Sequence, residues 1–358
     1  MRPSHILAVL DREFAGASMH NYTPVMLWGP PGVGKSQIIR SIADRHGVEL
    51  IDVRLSQMEP TDLRGIPFRQ DDMVVWSVPA LLPDRKRHGE RGILFLDEIT
   101  SAPPTVTAAA YQLILDRRLG EYRVPDGWVI FAAGNRHGDR GVTYVMPAPL
   151  ANRFVHYEIE TQLDDWVAWA HAANIDPRVI AFLRFRPDLL FQFEPARNPV
   201  AFPSPRSWEY AHRALAKFAD APDLLLEALQ ACVGPAAGVE FKAFVDHMEQ
   251  LPNIDAILEG GAERIPQGID LQYGVAAALV RRAVQARETP HANRVFGNIL
   301  KYAKSFPQRE MGVMLVTDMH RSIGKPLFNV PEFADWAHGI ADLMLYDLRD
   351  ARLSQNKH

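Results

Sequence analysis

The sequence GPPGVGKS occupies residues 29–36, between a short apolar run and a segment with helical periodicity. It matches the pattern GxxxxGK[ST] at every fixed position. The apolar run, Val25–Trp28, is typical of a buried strand, and residues 37–43 carry apolar side chains at helical spacing. The sequence therefore predicts a strand, a glycine-rich turn and a helix start, which is the context that a phosphate-binding loop requires.

The residue types in this loop suit the binding of a nucleotide. Glycines let backbone N–H groups close around phosphate oxygens, and the helix N-terminus adds partial positive charge. We expect Lys35 to contact the β- and γ-phosphates of ATP and the Ser36 hydroxyl to ligate Mg²⁺. A glycine-rich turn without nucleotide is the alternative, which the Lys-Ser pair disfavours. The predicted ATP-binding residues are Gly29, Pro30, Pro31, Gly32, Val33, Gly34, Lys35, Ser36 and Gln37.

A second buried strand is predicted at residues 92–98, where the sequence is GILFLDE. Its four consecutive apolar residues are typical of a parallel sheet that is covered on both faces. Ligands bind at the carboxyl ends of such strands, where Asp97 and Glu98 lie. We expect Asp97 to hold Mg²⁺ through water and Glu98 to orient and polarise the attacking water. The alternative is that the two carboxylates have no catalytic role and only lie at an exposed strand end. The glycine-rich loop upstream disfavours this alternative.

Another buried strand, WVIFAAGN at residues 128–135, ends in an amide side chain. There Asn135 can hydrogen-bond both the γ-phosphate and the catalytic water. Together with a strand at residues 49–55 and a helix at residues 105–119, the alternation predicts a doubly wound α/β fold. Residues 68–78 and 119–127 are expected to form hairpins or turns, and residues 84–91 a charged loop.

The composition of the chain limits the classes of protein to which it can belong. The 358 residues allow two or three domains, and 47% apolar with 23% charged residues is ordinary for a globular protein. A net charge of −4 disfavours a strongly basic nucleic-acid binder, although a local basic patch remains compatible with it. Cys232 is the only cysteine, which excludes an intramolecular disulfide framework. Without an apolar signal core or a run long enough to span a membrane, a cytoplasmic location is expected.

The rest of the chain is helical by pattern. Asp176 suits an N-cap and Pro177 the first position of one helix. Residues 186–205 are rich in proline and are predicted to form a loop, after which residues 204–208 open a further helix. Residues 221–358 carry no motif that indicates a function. The predicted domains are an α/β nucleotide-binding core at residues 1–160, a helical lid at residues 161–220 and a helical C-terminal extension at residues 221–358.

Taken together, these motifs resemble those of the AAA+ ATPases. The loop at residues 29–36, LFLDE at 94–98, AAGN at 132–135 and PLANRF at 149–154 occur in the expected order and spacing. Because hairpins accompany them, the set is most similar to the MoxR-type branch, over roughly residues 20–215. The resemblance implies a P-loop core with a mostly parallel sheet, followed by an all-α lid and a helical C-terminal region. It also implies a homo-oligomeric ring, usually a hexamer, with ATP between subunits.

The resemblance also assigns roles to single residues. It gives Asn135 the sensor 1 role and makes Arg153 the candidate arginine finger for the ATP of a neighbouring subunit. The family commonly has an aspartate before that arginine, whereas this chain has Asn152. Arg136 and Arg140 are therefore alternative fingers, and a salt bridge within the chain is the structural alternative for Arg153.

In the predicted lid, the resemblance identifies Arg206 with the sensor 2 arginine. It could reach the phosphates of ATP in its own subunit or across the subunit interface, and the sequence does not separate these two arrangements. A plain surface arginine is the third possibility.

These observations predict an ATP-hydrolysing motor that remodels a protein or assists its assembly. MoxR-type ATPases often act with a partner that carries a von Willebrand A domain, so the resemblance implies such a partner here. One alternative is a P-loop kinase for a small molecule, which would need no arginine from a neighbour. Another is a motor that acts on nucleic acid, which the net charge disfavours.

Overall fold

The computed structural model describes residues 1–17, 23–136, 138–139, 144–194 and 200–339. The chain divides into two compact units. The first contains the described residues of Met1–Gln162 and Phe193–Pro199, and the second those of Leu163–Gln192 and of the segment from Val200 onward. All strands of the described residues belong to the first unit.

The first unit combines strands with surrounding helices. Its strands are β1 (Val25–Trp28), β2 (Glu49–Arg54), β3 (Pro67–Gln70), β4 (Met73–Trp76), β5 (Arg91–Asp97), β6 (Arg118–Leu119), β7 (Tyr122–Arg123), β8 (Gly127–Gly134) and β9 (Val155–Glu158). Its helices are α1 (Pro3–Gly16), α2 (Lys35–His46), α3 (Pro60–Arg64), α4 (Arg85–His88), α5 (Pro104–Asp116) and α6 (Ala148–Ala151).

Five of these strands form one parallel sheet in the order β2-β5-β8-β1-β9. The apolar strands β5 and β8 lie side by side, with Phe95 opposite Phe131, and both side chains are fully buried. Burial on both faces explains their continuous apolar sequences. Because all five strands run in the same direction, the residues that follow β1, β5 and β8 lie at one edge of the sheet. The predicted parallel α/β core is confirmed.

The two hairpins are also present, although two local predictions are wrong. The charged segment at residues 84–91 is not only a loop, because α4 forms within it. Asp84 caps this helix by accepting hydrogen bonds from the backbone N–H groups of Lys86 and Arg87, each at 3.0 Å. The helix predicted to reach residue 119 ends at Asp116, since Arg117 adopts a left-handed conformation (φ 53°) and the chain then enters β6.

The second unit contains helices and connecting segments but no strand among its described residues. Asp176 caps its second helix through a 2.9 Å bond from the backbone N–H of Arg178, as predicted. The helices are α7 (Leu163–Ala172), α8 (Pro177–Phe185), α9 (Pro205–Lys217), α10 (Pro222–Val233), α11 (Pro235–His247), α12 (Ile254–Glu259), α13 (Ile269–Ala286), α14 (Ala292–Ala303), α15 (Arg309–Ile323) and α16 (Pro331–Gly339).

Two hydrophobic clusters hold this unit together. One extends along the sequence from Trp166 to Ala277 and the other from Ile257 to Trp336. At the centre of the first, the ring of Phe241 lies 5.1 Å from that of Phe182. This cluster includes residues on both sides of position 220, so the predicted lid and extension share a core. The division into lid and extension stays a prediction. Among the described residues, no helix is both long and apolar enough to cross a bilayer.

Candidate active site

The glycine-rich loop joins β1 to α2 and depends on two left-handed backbone positions. Gly32 has φ 84° and Gly34 has φ 96°, conformations that a side chain would strain. Gly34 is the N-cap of α2, and its carbonyl oxygen accepts the first helical bond from the N–H of Ile38 at 2.9 Å. The first N–H groups of α2 have no partner inside the helix, so they can bind an anion held by the loop.

Lys35 is the first residue of α2, and its side chain contacts the start of the loop. Its ammonium nitrogen donates to the carbonyl oxygens of Gly29 at 2.6 Å and Pro30 at 3.1 Å, and to the side-chain oxygen of Asn135 at 3.0 Å. These three contacts match the three donors of an ammonium group. The structure thus brings together the lysine and the amide that the sequence predicts to face the same phosphate.

Ser36 meets the end of β5. Its hydroxyl donates to a carboxylate oxygen of Asp97 at 2.8 Å, and Asp97 is only 7% exposed. The other oxygen of Asp97 accepts the backbone N–H of Glu98 at 2.9 Å. Hydroxyl and carboxylate oxygens are the hard ligands that Mg²⁺ prefers, usually beside water and phosphate oxygens. Ser36 and Asp97 therefore fit the magnesium site predicted for them.

Electrostatics at this edge also favour a cation. Asp52 lies on β2, which pairs with β5. Although much of the residue is exposed, desolvation of its carboxyl group raises the pKa of Asp52, and the negative charge of Asp97 raises it further. Asp52 was not among the predicted site residues, because only the register of β2 brings it close to Asp97. Among the described residues, no group of three or more His, Cys, Asp or Glu side chains forms a metal cluster of its own.

Glu98 follows β5 in a left-handed conformation, with φ 55° and ψ 32°. This backbone geometry is uncommon for a residue with a side chain, and such positions occur at functional sites. The half-buried carboxylate accepts a hydrogen bond from the hydroxyl of Ser56, which lies in the turn after β2. Ser56 was not identified from the sequence, since nothing local to either residue indicates the pairing.

Thr100 fixes the end of β8. Its hydroxyl oxygen accepts the N–H of Asn135 at 3.0 Å and lies 3.3 Å from the carbonyl oxygen of Asn135, to which it donates. A Cβ atom at Gly134 would lie 2.7 Å from that hydroxyl oxygen, so only glycine lets the two segments approach. Thr100, like Asp52 and Ser56, is a residue of the site that the sequence did not indicate.

The three finger candidates differ in their surroundings. Arg153 follows α6 and is exposed, and its guanidinium makes no hydrogen bond or ion pair with any residue that the structure describes. Arg136 instead binds Asp139 at 2.9 Å and also pairs with Glu158. Hydrogen bonds to the Asp139 carboxylate raise the pKa of Arg136. Arg140 lies outside the described residues. The salt bridge considered for Arg153 is thus not found in the described part of the chain, whereas Arg136 forms two.

Arg206 is the second residue of α9, in the second unit, and its side chain is exposed. The helix begins with a capping box, in which the hydroxyl of Ser204 accepts the N–H of Ser207 at 3.1 Å. The helix start predicted at this position is confirmed. The role of Arg206 at a phosphate stays a prediction.

Comparison with known proteins agrees with this geometry. A family model described as an AAA domain of the dynein-related subfamily matches residues 24–154, which contain the loop, Asp97, Glu98, Asn135 and Arg153. Residues 24–154 form an AAA+ ATPase domain. Membership of this family implies an adenine-nucleotide site, and the family predicted from the motifs is confirmed.

Three curated relatives share this domain. Midasin from Giardia intestinalis is 29% identical over 155 residues, and ATPase family gene 2 protein homolog B from Rattus norvegicus is 31% identical over 127 residues. Protein NorQ from Paracoccus denitrificans is 28% identical over 152 residues. These matches cover 40%, 34% and 40% of this chain, but only 3%, 14% and 55% of the respective relatives.

Solved structures show more distant similarity. RuvB from Thermotoga maritima is 16% identical, with a TM-score of 0.36 over 91% of this chain and 87% of RuvB. NtrX from Brucella abortus, solved in complex with ADP, is 16% identical, with a TM-score of 0.38 over 96% of this chain and 67% of NtrX. The family assignment of the AAA+ domain therefore depends on the sequence matches and on its own site.

Proposed function

We propose that this chain is a MoxR-type ring motor that hydrolyses ATP to ADP and phosphate and uses the released free energy to remodel a protein partner. The ring is a homo-oligomer, usually a hexamer in this family. The observation that carries the proposal is that Arg153 of the AAA+ domain is exposed. Its guanidinium has no partner among the described residues. A site whose cation comes from a neighbouring subunit is incomplete in one chain, so the proposal makes activity depend on assembly.

The geometry of the site supports the following hydrolytic roles. The loop and Lys35 bind the phosphates, and Glu98 polarises the attacking water while Asn135 orients it. Ser36 and Asp97 would hold Mg²⁺, which neutralises phosphate charge when it is bound. A positioned base such as Glu98 contributes about 10²–10⁴ in rate.

In this proposal Arg153 supplies a second positive charge at the γ-phosphate, in addition to that of Lys35. The transferred phosphoryl group carries charge in the transition state, and an arginine from another subunit contributes about 10³–10⁵ in rate. Arg136 is less suited to this role because Asp139 and Glu158 already engage it. The exposed Arg153 has no such competitor among the described residues.

The identity of the remodelled protein belongs to the same proposal. By its resemblance to MoxR-type ATPases, we infer a partner with a von Willebrand A domain and a cytoplasmic location. A motor for nucleic acid is less well supported, because the chain carries a net charge of −4.

The test is a subunit-mixing experiment. The Arg153→Ala protein should bind ATP and hydrolyse it poorly, and the Glu98→Gln protein should do the same for a different reason. In mixed rings, an Arg153→Ala subunit that holds ATP meets the intact Arg153 of a Glu98→Gln neighbour. If subunits mix at random in a closed ring, about one quarter of the interfaces become competent at equal amounts. ATPase rate should therefore rise to a maximum near a one-to-one ratio.

Two controls sharpen this result. A protein with both substitutions, Glu98→Gln and Arg153→Ala, should give no rescue when mixed with Arg153→Ala. Arg12→Ala removes another exposed arginine, on α1, and should leave the rate unchanged. Sedimentation confirms that mixed rings form. If they form and the rate never exceeds that of the separate variants, Arg153 does not act between subunits. A monomeric kinase predicts neither mixed rings nor rescue.

A further inference from the structure

His156 lies on the edge strand β9 and contacts two functional segments of the first unit. Its Nδ1 atom is 2.9 Å from the indole nitrogen of Trp28, the last residue before the glycine-rich loop. Its Nε2 atom is 2.8 Å from the carbonyl oxygen of Ala151, the last residue of α6. One imidazole thus bridges the start of the loop and the short helix that precedes Arg153.

The position of the imidazole proton follows from these partners. An indole nitrogen can only donate, so Nδ1 of His156 must accept the hydrogen bond from Trp28. The ring is then neutral with its proton on Nε2, and Nε2 donates to Ala151. Both bonds are compatible with this one tautomer, so a single neutral ring can make them at the same time.

Arg153 lies in a tight turn that this bridge supports. The N–H of Arg153 donates to Leu150 at 3.0 Å, and the N–H of Phe154 donates to Ala151 at 3.1 Å. The carbonyl oxygen of Ala151 therefore accepts bonds from both the turn and His156. The ring of Phe154 also packs edge-on against the imidazole, with centroids 6.3 Å apart.

Burial does not account for the arrangement. His156 is exposed, so water could satisfy both of its nitrogens without loss of a buried hydrogen bond. The indole of Trp28 is nevertheless stacked on the imidazole, at 5.9 Å between centroids and 24° between planes. A side chain that satisfies no buried group yet makes two bonds and two ring contacts is suited to fixing distance and orientation.

We propose that His156 is a positioning residue that couples the nucleotide loop of a subunit to the arginine that the same subunit presents to its neighbour. The proposal rests on the function proposed above, in that Arg153 acts between subunits. A change at the junction of β1 and the loop is passed through Trp28 and His156 to the turn that carries Arg153. Misplacement of a catalytic group by about 1 Å can lower a rate about 10²-fold, so a short rigid bridge is enough to matter.

The experiment places the His156→Phe substitution on one side of the mixed interface at a time. Phenylalanine keeps a flat ring but removes both hydrogen bonds. On the subunit that supplies Arg153, as Glu98→Gln/His156→Phe mixed with Arg153→Ala, the restored ATPase rate should fall at least about 10-fold. On the subunit that holds ATP, as Arg153→Ala/His156→Phe mixed with Glu98→Gln, it should stay within about 2-fold of the parent mixture.

A second variant distinguishes coupling from local support of the turn. Trp28→Phe removes the indole donor and leaves the bond to Ala151 in place. On the subunit that supplies Arg153, it should also lower the restored rate, and combining it with His156→Phe should lower the rate no further. Thermal unfolding and sedimentation show that each variant folds and assembles.

The outcomes separate the two proposals. No rescue in the parent mixture would overturn both. Rescue in the parent mixture that His156→Phe leaves unchanged, or lowers equally from either side, would overturn the role of His156 and leave Arg153 as the finger. Full activity of Trp28→Phe would reduce His156 to a local support of the turn and overturn the coupling.

Discussion

The ammonium nitrogen of Lys35 lies 3.0 Å from the side-chain oxygen of Asn135, although the two residues are 100 positions apart in the sequence. The pairing of β1 with β8 explains this contact, because Trp28 lies opposite Gly134 and the residues that follow both strands emerge side by side. The ammonium group of Lys35 and the side-chain amide that follows β8 are thus hydrogen-bonded to each other, so a substitution at either residue removes a partner of the other.

Removing the charge of Lys35 should abolish tight ATP binding. Lys35→Ala takes away the cation that faces the β- and γ-phosphates, and it also leaves the oxygen of Asn135 without this donor. Isothermal titration calorimetry with ATP is the measurement. Lys86→Ala, which removes an exposed lysine on α4, is the matched control and should bind normally. Unchanged affinity in Lys35→Ala would exclude this loop as the ATP site.

Glu98→Gln should separate chemistry from binding. The amide keeps the shape of the side chain and loses the carboxylate that polarises water, so turnover should fall about 10²-fold or more while ATP remains bound. Steady-state ATPase assays and calorimetry on the same preparation measure both quantities. Wild-type turnover would show that another residue activates the water.

Ser56→Ala should lower turnover without weakening the binding of ATP. The Ser56 hydroxyl donates to the Glu98 carboxylate, so its loss leaves the base less well oriented. We expect kcat to fall about 10-fold with KM unchanged, and Ser56→Thr, which keeps a hydroxyl, to restore most of it. Ser41→Ala removes the hydroxyl of a half-buried serine on α2 and serves as the control. An equal effect of Ser56→Ala and Ser56→Thr would argue against the hydrogen bond as the cause.

The residues that sequence reasoning identified are those whose neighbours in the chain already define them. Lys35 and Asp97 belong to contiguous motifs, in which the neighbouring sequence also indicates the strand and the turn that position the residue. Partners such as Ser56 and Thr100 are different. Ser56 reaches Glu98 across 42 residues, and only the register of β2 against β5 brings the two together.

The sequence also does not predict the edge strand β9, because its place in the sheet depends on a distant segment. Val155–Glu158 alternates poorly, and three of its four residues are exposed, so it lacks the apolar run that marks β5 and β8. Its place in the sheet depends on pairing with β1, a relationship between distant segments. The sequence does not predict α4, because Asp84 stands in a run of charged residues in which its role as an N-cap is not evident.

Arg206→Ala should impair hydrolysis or nucleotide-dependent assembly while the protein stays folded. The predicted sensor 2 role places this exposed arginine at an ATP phosphate, in its own subunit or across the interface. Arg213→Ala is a matched control on the same helix, since Arg213 is exposed and pairs with Glu209. ATPase rate and sedimentation with ATP are the measurements. Equal behaviour of the two variants would identify Arg206 as a surface residue.

The stability of the helical unit should depend on the protonation of His212. The N–H of Asp176, the residue that caps α8, lies 3.1 Å from Nδ1 of His212 on α9. A backbone N–H can only donate, so this bond requires Nδ1 to be unprotonated. Burial lowers the pKa of His212, an effect to which the positive charge of Arg281 adds and which the Asp176 carboxylate opposes.

The sign of the pH dependence follows from linkage. The histidine of the unfolded chain has an ordinary pKa of about 6.5 and therefore binds its proton before the folded one as the pH falls. The contribution of His212 is fully present above about pH 6.5 and is lost as the pH falls through the depressed pKa of the folded state.

His212→Asn offers an oxygen to the same N–H without titrating. Urea unfolding from pH 8 to about pH 5 should therefore show the wild type losing stability relative to His212→Asn below about pH 6.5. His338→Asn, at an exposed histidine on α16, is the control and should run parallel to the wild type. If the difference between wild type and His212→Asn stays constant across this range, the neutral His212 does not contribute to holding α8 and α9.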